Sequence, residues 1–290
     1  MDELRERLVL ELRERLVDQA LSLPLGNQAA LSKVAELAES GAEVDDIVSQ
    51  ALLDEGFVAM LLRLANSAAS ASVTSINDLN TAISRLGLSL VGCLAISAPS
   101  LRLLAAPSDG LEEPRRELHR HGVLTGIVAR ELAEGGKEGD RALAAGLVHN
   151  VGLSVLSLHA KSGFKKLMAA AEQGDRLADV EAKLFGFTHA EVGTILAQAW
   201  QYPEELVAAI RDHDAPIPSS RLAAIVQIAD LLVRERGIGI EARGEISGAA
   251  LEVAGIARVD ALEVGASLLD PGEDGQTPRH PLVAALETVA

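Results

Sequence analysis

Three observations predict an all-α fold. Ala and Leu dominate the chain, aromatic residues make up only 2% of it, and apolar residues recur at helical rather than alternating spacing. A core of small and aliphatic side chains lets helix axes approach closely. With 290 residues and 48% hydrophobic content, the chain can bury a sizeable core.

The elements follow in order. Residues 3–9 and 11–17 both read Glu-Leu-Arg-Glu-Arg-Leu-Val, placing Leu4, Leu8, Leu12 and Leu16 on one slowly drifting face. This predicts an amphipathic helix over 1–20, docked on its own domain or dimerising with a second copy. Leu23-Pro24-Leu25-Gly26-Asn27 ends it. Helical periodicity resumes from Ala29, with Leu31, Val34, Ala35, Leu37 and Ala38 pointing one way. Val44–Leu53 and Phe57–Ala65 give two more helices, and Asn66 and Ser67 are expected to satisfy backbone groups where the second ends. Asp78 is a cap for the helix carrying Leu79, Ala82, Ile83 and Leu86, and Gly87 separates that helix from the apolar Leu88–Ile96 segment. Arg63 and Arg85 are expected to pair with acidic neighbours or, as the second choice, to form part of a surface recognising a partner. The turn-rich Ala105–Gly110 marks a lobe boundary, so 21–106 form one helical lobe. Helices over 113–134, 140–149, 162–172, 176–184, 188–199, 203–212 and 219–235 form a second lobe spanning 107–235. Residues 236–290 read as a C-terminal extension, with one or two helices in 245–268 and a surface loop at Asp270–Thr277.

The net charge of -16 opposes nonspecific nucleic-acid binding, because a phosphate backbone would be repelled. The best basic cluster, Arg115, Arg116, Arg120 and His121, is diluted by Glu112, Glu113 and Glu117. No window suggests a membrane span, and the charged N-terminus does not read as a secretory signal. The single cysteine, Cys93, sits in an apolar run and reads as a small core residue. A cytoplasmic location, with neither nucleic acid nor membrane as partner, is expected. Trp200 and Tyr202, beside Pro203, read as core anchors or, if exposed, as a binding surface.

Two sets of motifs carry a family resemblance. The first is Leu23-Pro24-Leu25, then Leu61-Leu62-Arg63-Leu64-Ala65-Asn66-Ser67-Ala68, Ile76 and Ala82-Ile83-Ser84-Arg85-Leu86-Gly87. The second is His121, Leu147-Val148-His149-Asn150-Val151-Gly152, His189-Ala190-Glu191-Val192-Gly193, His213 with Pro216, and Ala229-Asp230. Over Leu21–Arg234 the chain resembles the HDOD family, an HD-related output domain of bacterial signalling proteins. The resemblance implies a two-lobed helical bundle that regulates other proteins rather than catalysing a reaction.

It also implies a site. Active HD hydrolases hold divalent metal with a His, a His-Asp pair and a distant Asp; the matching positions are His121, His149, Asn150 and Asp230. Asn150 places a neutral amide where a hard cation prefers a carboxylate. His189 and Gly193 resemble a segment of the HD-GYP phosphodiesterases, and His213 lies where those enzymes carry metal-binding histidines, although the Gly-Tyr-Pro signature is missing. The expected site is therefore His121, His149, Asn150, His189, His213 and Asp230, as a vestigial or weak metal centre. Each of these residues also has a structural reading as a core hydrogen-bonding or helix-terminating group. No cofactor is expected beyond a single Zn, Fe or Mn ion. The function implied is non-catalytic signal transduction through unidentified signalling proteins, with a homodimer as a further option. The alternative is a metal-dependent phosphohydrolase that tolerates Asn150.

Overall fold

The computed structural model describes residues 2–23, 25–67, 75–103, 109–240, 243–270, 280, 282–283 and 286, and these contain helices and no strand. The first lobe comprises α1 (Asp2–Leu21), α2 (Gln28–Ser40), α3 (Val44–Ala51), α4 (Glu55–Ser67), α5 (Leu79–Leu86) and α6 (Leu88–Arg102). Local chemistry sets its boundaries. The Asn27 side chain accepts from the Ala30 amide to start α2, and Gly41 ends it at φ 70°. Asp78 accepts from Thr81 N, as expected. Asn66 accepts from Ile76 N and donates to Leu62 O and Ile76 O, each at 2.8 Å, so it ties the end of α4 to the approach to α5. At Gly87, φ 83°, the chain turns by 103° between α5 and α6.

A buried ion pair fastens three of these boundaries. Asp54, 6% exposed, accepts from the amides of Asn27 (2.8 Å) and Phe57 (2.9 Å) and from both terminal nitrogens of Arg102. Arg102 also donates to Leu25 O. The starts of α2 and α4 and the end of α6 thus share one carboxylate.

The second lobe comprises α7 (Glu112–Leu132), α8 (Gly136–Val148), α9 (Val151–His159), α10 (Lys161–Glu172), α11 (Leu177–Leu184), α12 (His189–Ala199), α13 (Glu204–Asp212) and α14 (Arg221–Glu235). α7 and α8 form the most extensive helix contact, and α6 packs on α8 to join the lobes. A continuous core runs from Leu16 to Leu286. α15 (Gly248–Ala254) and α16 (Arg258–Leu269) pack on α14, and α16 also on α7.

Several expectations need correction. α9 falls outside the predicted helices because its residues 151–157 are buried on every side, leaving no amphipathic period to read. With α8 it forms an apolar stretch, Gly136–His159, long enough to cross a membrane, although 83% of that window is buried within the fold. The basic cluster is not a surface patch: Arg115 is 1% exposed and holds Asp109 through two bonds of 2.9 and 2.8 Å. Arg63 and Arg85 make no ion pair among the described residues. Leu16, Val17 and Ala20 of α1 are buried where the helix docks on α9 and α12; the side chains of Leu4 and Leu8 lie outside the described residues. So do Pro24, the lobe boundary at 104–108 and the predicted loop at 271–277.

Glycines set the α7–α8 distance. A Cβ on Gly146 would strike the Gly126 backbone, and one on Gly126 would lie 2.7 Å from Leu143 O. Gly146→Ala is expected to destabilise the fold by about 2–3 kcal/mol through overpacking, whereas Gly248→Ala, where a Cβ meets nothing within 4 Å, stays near neutral. Chemical denaturation midpoints compare the two; equal midpoints would reject the seam as a constraint.

Candidate metal centre

Five elements deliver the predicted residues to one buried place. His121 lies midway along α7, His149 closes α8, His189 opens α12, His213 closes α13 and Asp230 lies within α14. All five are 0–2% exposed. The approach of these elements depends on small residues: a Cβ on Gly122 would lie 3.2 Å from Leu147 O, and one on Gly152 would overlap the His189 carbonyl. A Thr188–Glu191 capping box fixes the start of α12. Gln227 donates to His213 O and Ala215 O, both at 2.8 Å, and holds the turn after α13. Asn150, 8% exposed, occupies the N-cap place of α9 without a side-chain capping bond there.

Hydrogen bonding fixes the orientation of the imidazoles. Nδ1 of His121 faces Ile238 O (3.1 Å), that of His149 faces Gly146 O (2.7 Å), and that of His213 faces Ile210 O (2.8 Å). A carbonyl only accepts, so each of these Nδ1 atoms carries the proton. Nδ1 of His189 donates to the fully buried Glu181 carboxylate, which also accepts the His189 amide at 2.9 Å. With each Nδ1 anchored outward, each Nε2 is directed inward. Nε2 of His189 and His213 lie 3.2 Å apart. Oδ1 of Asp230 lies 2.9 Å from Nε2 of His121 and 3.7 Å from Nε2 of His149. These inward atoms crowd one another, and neither His149 Nε2 nor Asp230 Oδ1 has a well-aligned hydrogen bond.

This arrangement fits a metal. Outward Nδ1 donors to carbonyl or carboxylate are the usual support of metal-binding histidines. The donor separations of 2.9, 3.2 and 3.7 Å bracket the edge of about 3.4 Å that bonds of about 2.1 Å give a tetrahedron. Two triads emerge, His121–His149–Asp230 and His189–His213–Asp214, with donor atoms in each within 4.8 Å of one another. Two imidazoles and a carboxylate suit Zn, Fe or Mn.

Asp214, Glu181 and Arg234 escaped the sequence reading. Asp214 had a signal: His213-Asp214 is an intact His-Asp pair, whereas attention fell on the altered His149-Asn150. Arg234, four residues after Asp230, had only its helical spacing. Its Nη1 lies 3.0 Å from Asp230 Oδ2 and 3.9 Å from Asp214 Oδ1. Nothing local distinguishes Glu181.

Burial lowers the pKa of His213 to about 4 against the pull of Asp214, and any proton on His149 or His189 would lower it further. Burial likewise lowers that of His149, against the pull of Asp230. For Asp230, burial acts upward, but the neighbouring cationic Arg234 foremost, with the imidazoles of His121 and His149 whenever they carry a proton at Nε2, outweighs it and holds the carboxyl well below its ordinary value. In metal-free protein the histidine terms destabilise the fold on acidification. A depressed histidine pKa means that the unfolded chain binds protons first, so stability is complete above about 6.5 and is lost towards about 4. His213 alone is expected to remove about 3 kcal/mol between its unfolded value of 6.5 and about 4. Urea midpoints of chelator-treated protein between those limits test this, and a flat profile would refute it.

A cavity of about 840 Å³ lies elsewhere. It occupies the lobe seam between α2, α6, the start of α8 and the α12–α13 turn, and none of the six predicted site residues lines it. Trp200 and Tyr202, 7% and 9% exposed, form part of its wall, so the aromatic pair is buried yet borders open space. Cys93 also lines it, half-buried, its thiol pushed up to about 12 by burial.

The fold recurs in solved structures. A Shewanella amazonensis protein, provisionally assigned as a phosphohydrolase, is 21% identical, with 94% of this chain and 97% of that one covered at TM-score 0.69. A Marinobacter aquaeolei protein, provisionally assigned to signal transduction, is 24% identical, with 86% and 57% covered at TM-score 0.72. An uncharacterised Treponema pallidum protein is 31% identical over 202 residues, 66% of this chain; the match spans only 38% of that protein's length. The HDOD domain model matches residues 23–216, two thirds of the chain, and the chain belongs to the HDOD domain family.

Proposed function

We propose that this protein is a non-catalytic signalling regulator that acts through protein–protein contacts, and that its core centre holds one divalent ion in a structural rather than hydrolytic role. The observation that carries the reading is the enclosure of the donors. The four histidines and Asp230 are at most 2% exposed, while the large cavity lies at the lobe seam without them. A phosphoester needs a nucleophile within reach of its phosphorus, and here the helices close over the donors. The provisional signal-transduction assignment of the Marinobacter protein is consistent with regulation, and the phosphohydrolase assignment of the Shewanella protein keeps hydrolysis as the competing reading.

An ion bound by these donors would stabilise the folded state and polarise whatever oxygen it met. The chain's own residues supply the remainder. The outward Nδ1 bonds orient the imidazoles, Glu181 supports His189, and the glycine contacts exclude water. Tying five elements together makes the second lobe a stiff platform beside the seam, from which a docking surface can be presented to a signalling protein in a cytoplasmic setting.

The test pairs metal content with turnover. Protein purified without chelator is expected to carry one Zn, Fe or Mn per chain and to leave bis(p-nitrophenyl) phosphate intact. His149→Ala is expected to lose the ion and to melt at lower temperature. Turnover by wild type that disappears in His149→Ala would establish the hydrolase instead.

A further inference from the structure

We infer that Arg234 is a built-in cation that occupies the role of a second metal ion and limits the centre to one; this rests on the single-ion reading above. The Arg234 guanidinium reaches the carboxylates of both triads, at 3.0 Å from Asp230 Oδ2 and 3.9 Å from Asp214 Oδ1. Its side chain is only 11% exposed. Asp230 is therefore divided: Oδ2 meets a fixed positive charge, while Oδ1 faces the histidines and has no well-aligned hydrogen bond.

Charge balance makes the limit quantitative. The carboxylates in and behind the two triads are Glu181, Asp230 and Asp214, with side chains 0%, 1% and 23% exposed. Against them stands one guanidinium. Asp212 is already matched by Arg211 at 2.8 Å, and Arg176 contributes only a bond from its exposed side to the Asp214 carbonyl. Two negative charges remain uncompensated. One divalent ion cancels them; a second would leave two positive charges in a low-dielectric interior, where unpaired charge is strongly disfavoured. The neutral amide of Asn150, next to His149 and 8% exposed, acts in the same direction because it withholds a negative charge that Asp would supply.

Arg234 and Asn150 thus each lower the capacity for positive charge by one unit. Reversing both substitutes two negative charges' worth of capacity, the amount a second divalent ion requires. A purely structural salt bridge predicts something different: loss of Arg234 would then lower stability without changing the ion count.

The probe is MnCl2, with Mn per chain measured by elemental analysis after dialysis and the spacing of the ions by electron paramagnetic resonance. Wild type is expected to hold one Mn, with the spectrum of an isolated ion. The double variant Asn150→Asp/Arg234→Gln is expected to hold two, with the spectrum of an exchange-coupled pair. Arg234→Lys, which keeps the charge, is expected to remain at one. Each single charge-altering variant should bind a second Mn more weakly than the double, which keeps the idea testable if the double variant fails to fold. Wild type holding two ions would overturn the inference, as would a folded double variant that remains at one, or folded single variants whose affinity for a second Mn, titrated with rising MnCl2, is no higher than that of wild type. Wild type holding none would overturn the single-ion reading itself, a distinct failure.

Discussion

The interior of this protein is organised around four imidazoles whose inner edges crowd one another. Their Nδ1 atoms are anchored outward, three on backbone carbonyls and one on Glu181, and so turn four Nε2 atoms inward, those of His121 and His149 towards Asp230 and those of His189 and His213 towards each other. The crowding leaves His149 Nε2 and Asp230 Oδ1 without a well-aligned hydrogen bond. Rotating any one ring to relieve it would abandon a bond of 2.7–3.1 Å to a buried acceptor, which is itself costly. The surrounding helices must therefore be held by something other than the cluster.

Close backbone contact supplies that restraint. Gly122 and Gly126 on α7, Gly146 on α8 and Gly152 on α9 allow neighbouring elements to meet where a methyl group would not fit. The same contacts that confine the imidazoles also close the site to solvent, so rigidity and inaccessibility have one origin. Open space is displaced to the lobe seam, where α2 and the α12–α13 turn face each other across α6. Donor chemistry and available volume are thereby separated within one second lobe and its border.

Much of this was legible in the sequence. The all-helical class, the helices before and after Gly87 and the Asp78 cap could be read from spacing, and the family resemblance pointed to the five donors His121, His149, His189, His213 and Asp230. What was missed shares a physical cause. α9 is buried on all sides, so it carries no periodic signal. Glu181 and Arg234 act through partners distant in sequence or on a helical face that looks ordinary by itself. Asp214 was legible as the second half of a His-Asp pair but was overshadowed by the substituted pair at 149–150. Arg115, which looked like part of a basic surface, shows the limit of local charge counting: only tertiary contact reveals that its guanidinium is matched by Asp109.

The chain contains one Trp and one Tyr, and their rings lie 5.5 Å apart on the wall of the lobe-seam cavity. The indole N–H of Trp200 is buried without a hydrogen-bond acceptor, while the Tyr202 hydroxyl is held by Ser100 at 3.0 Å. All indole emission from this protein therefore originates at the junction of its two lobes, from a fluorophore whose polar edge is unsolvated. Its colour reports the dielectric of the seam alone, so the molecule carries its own optical gauge of whether the lobes stand together or apart.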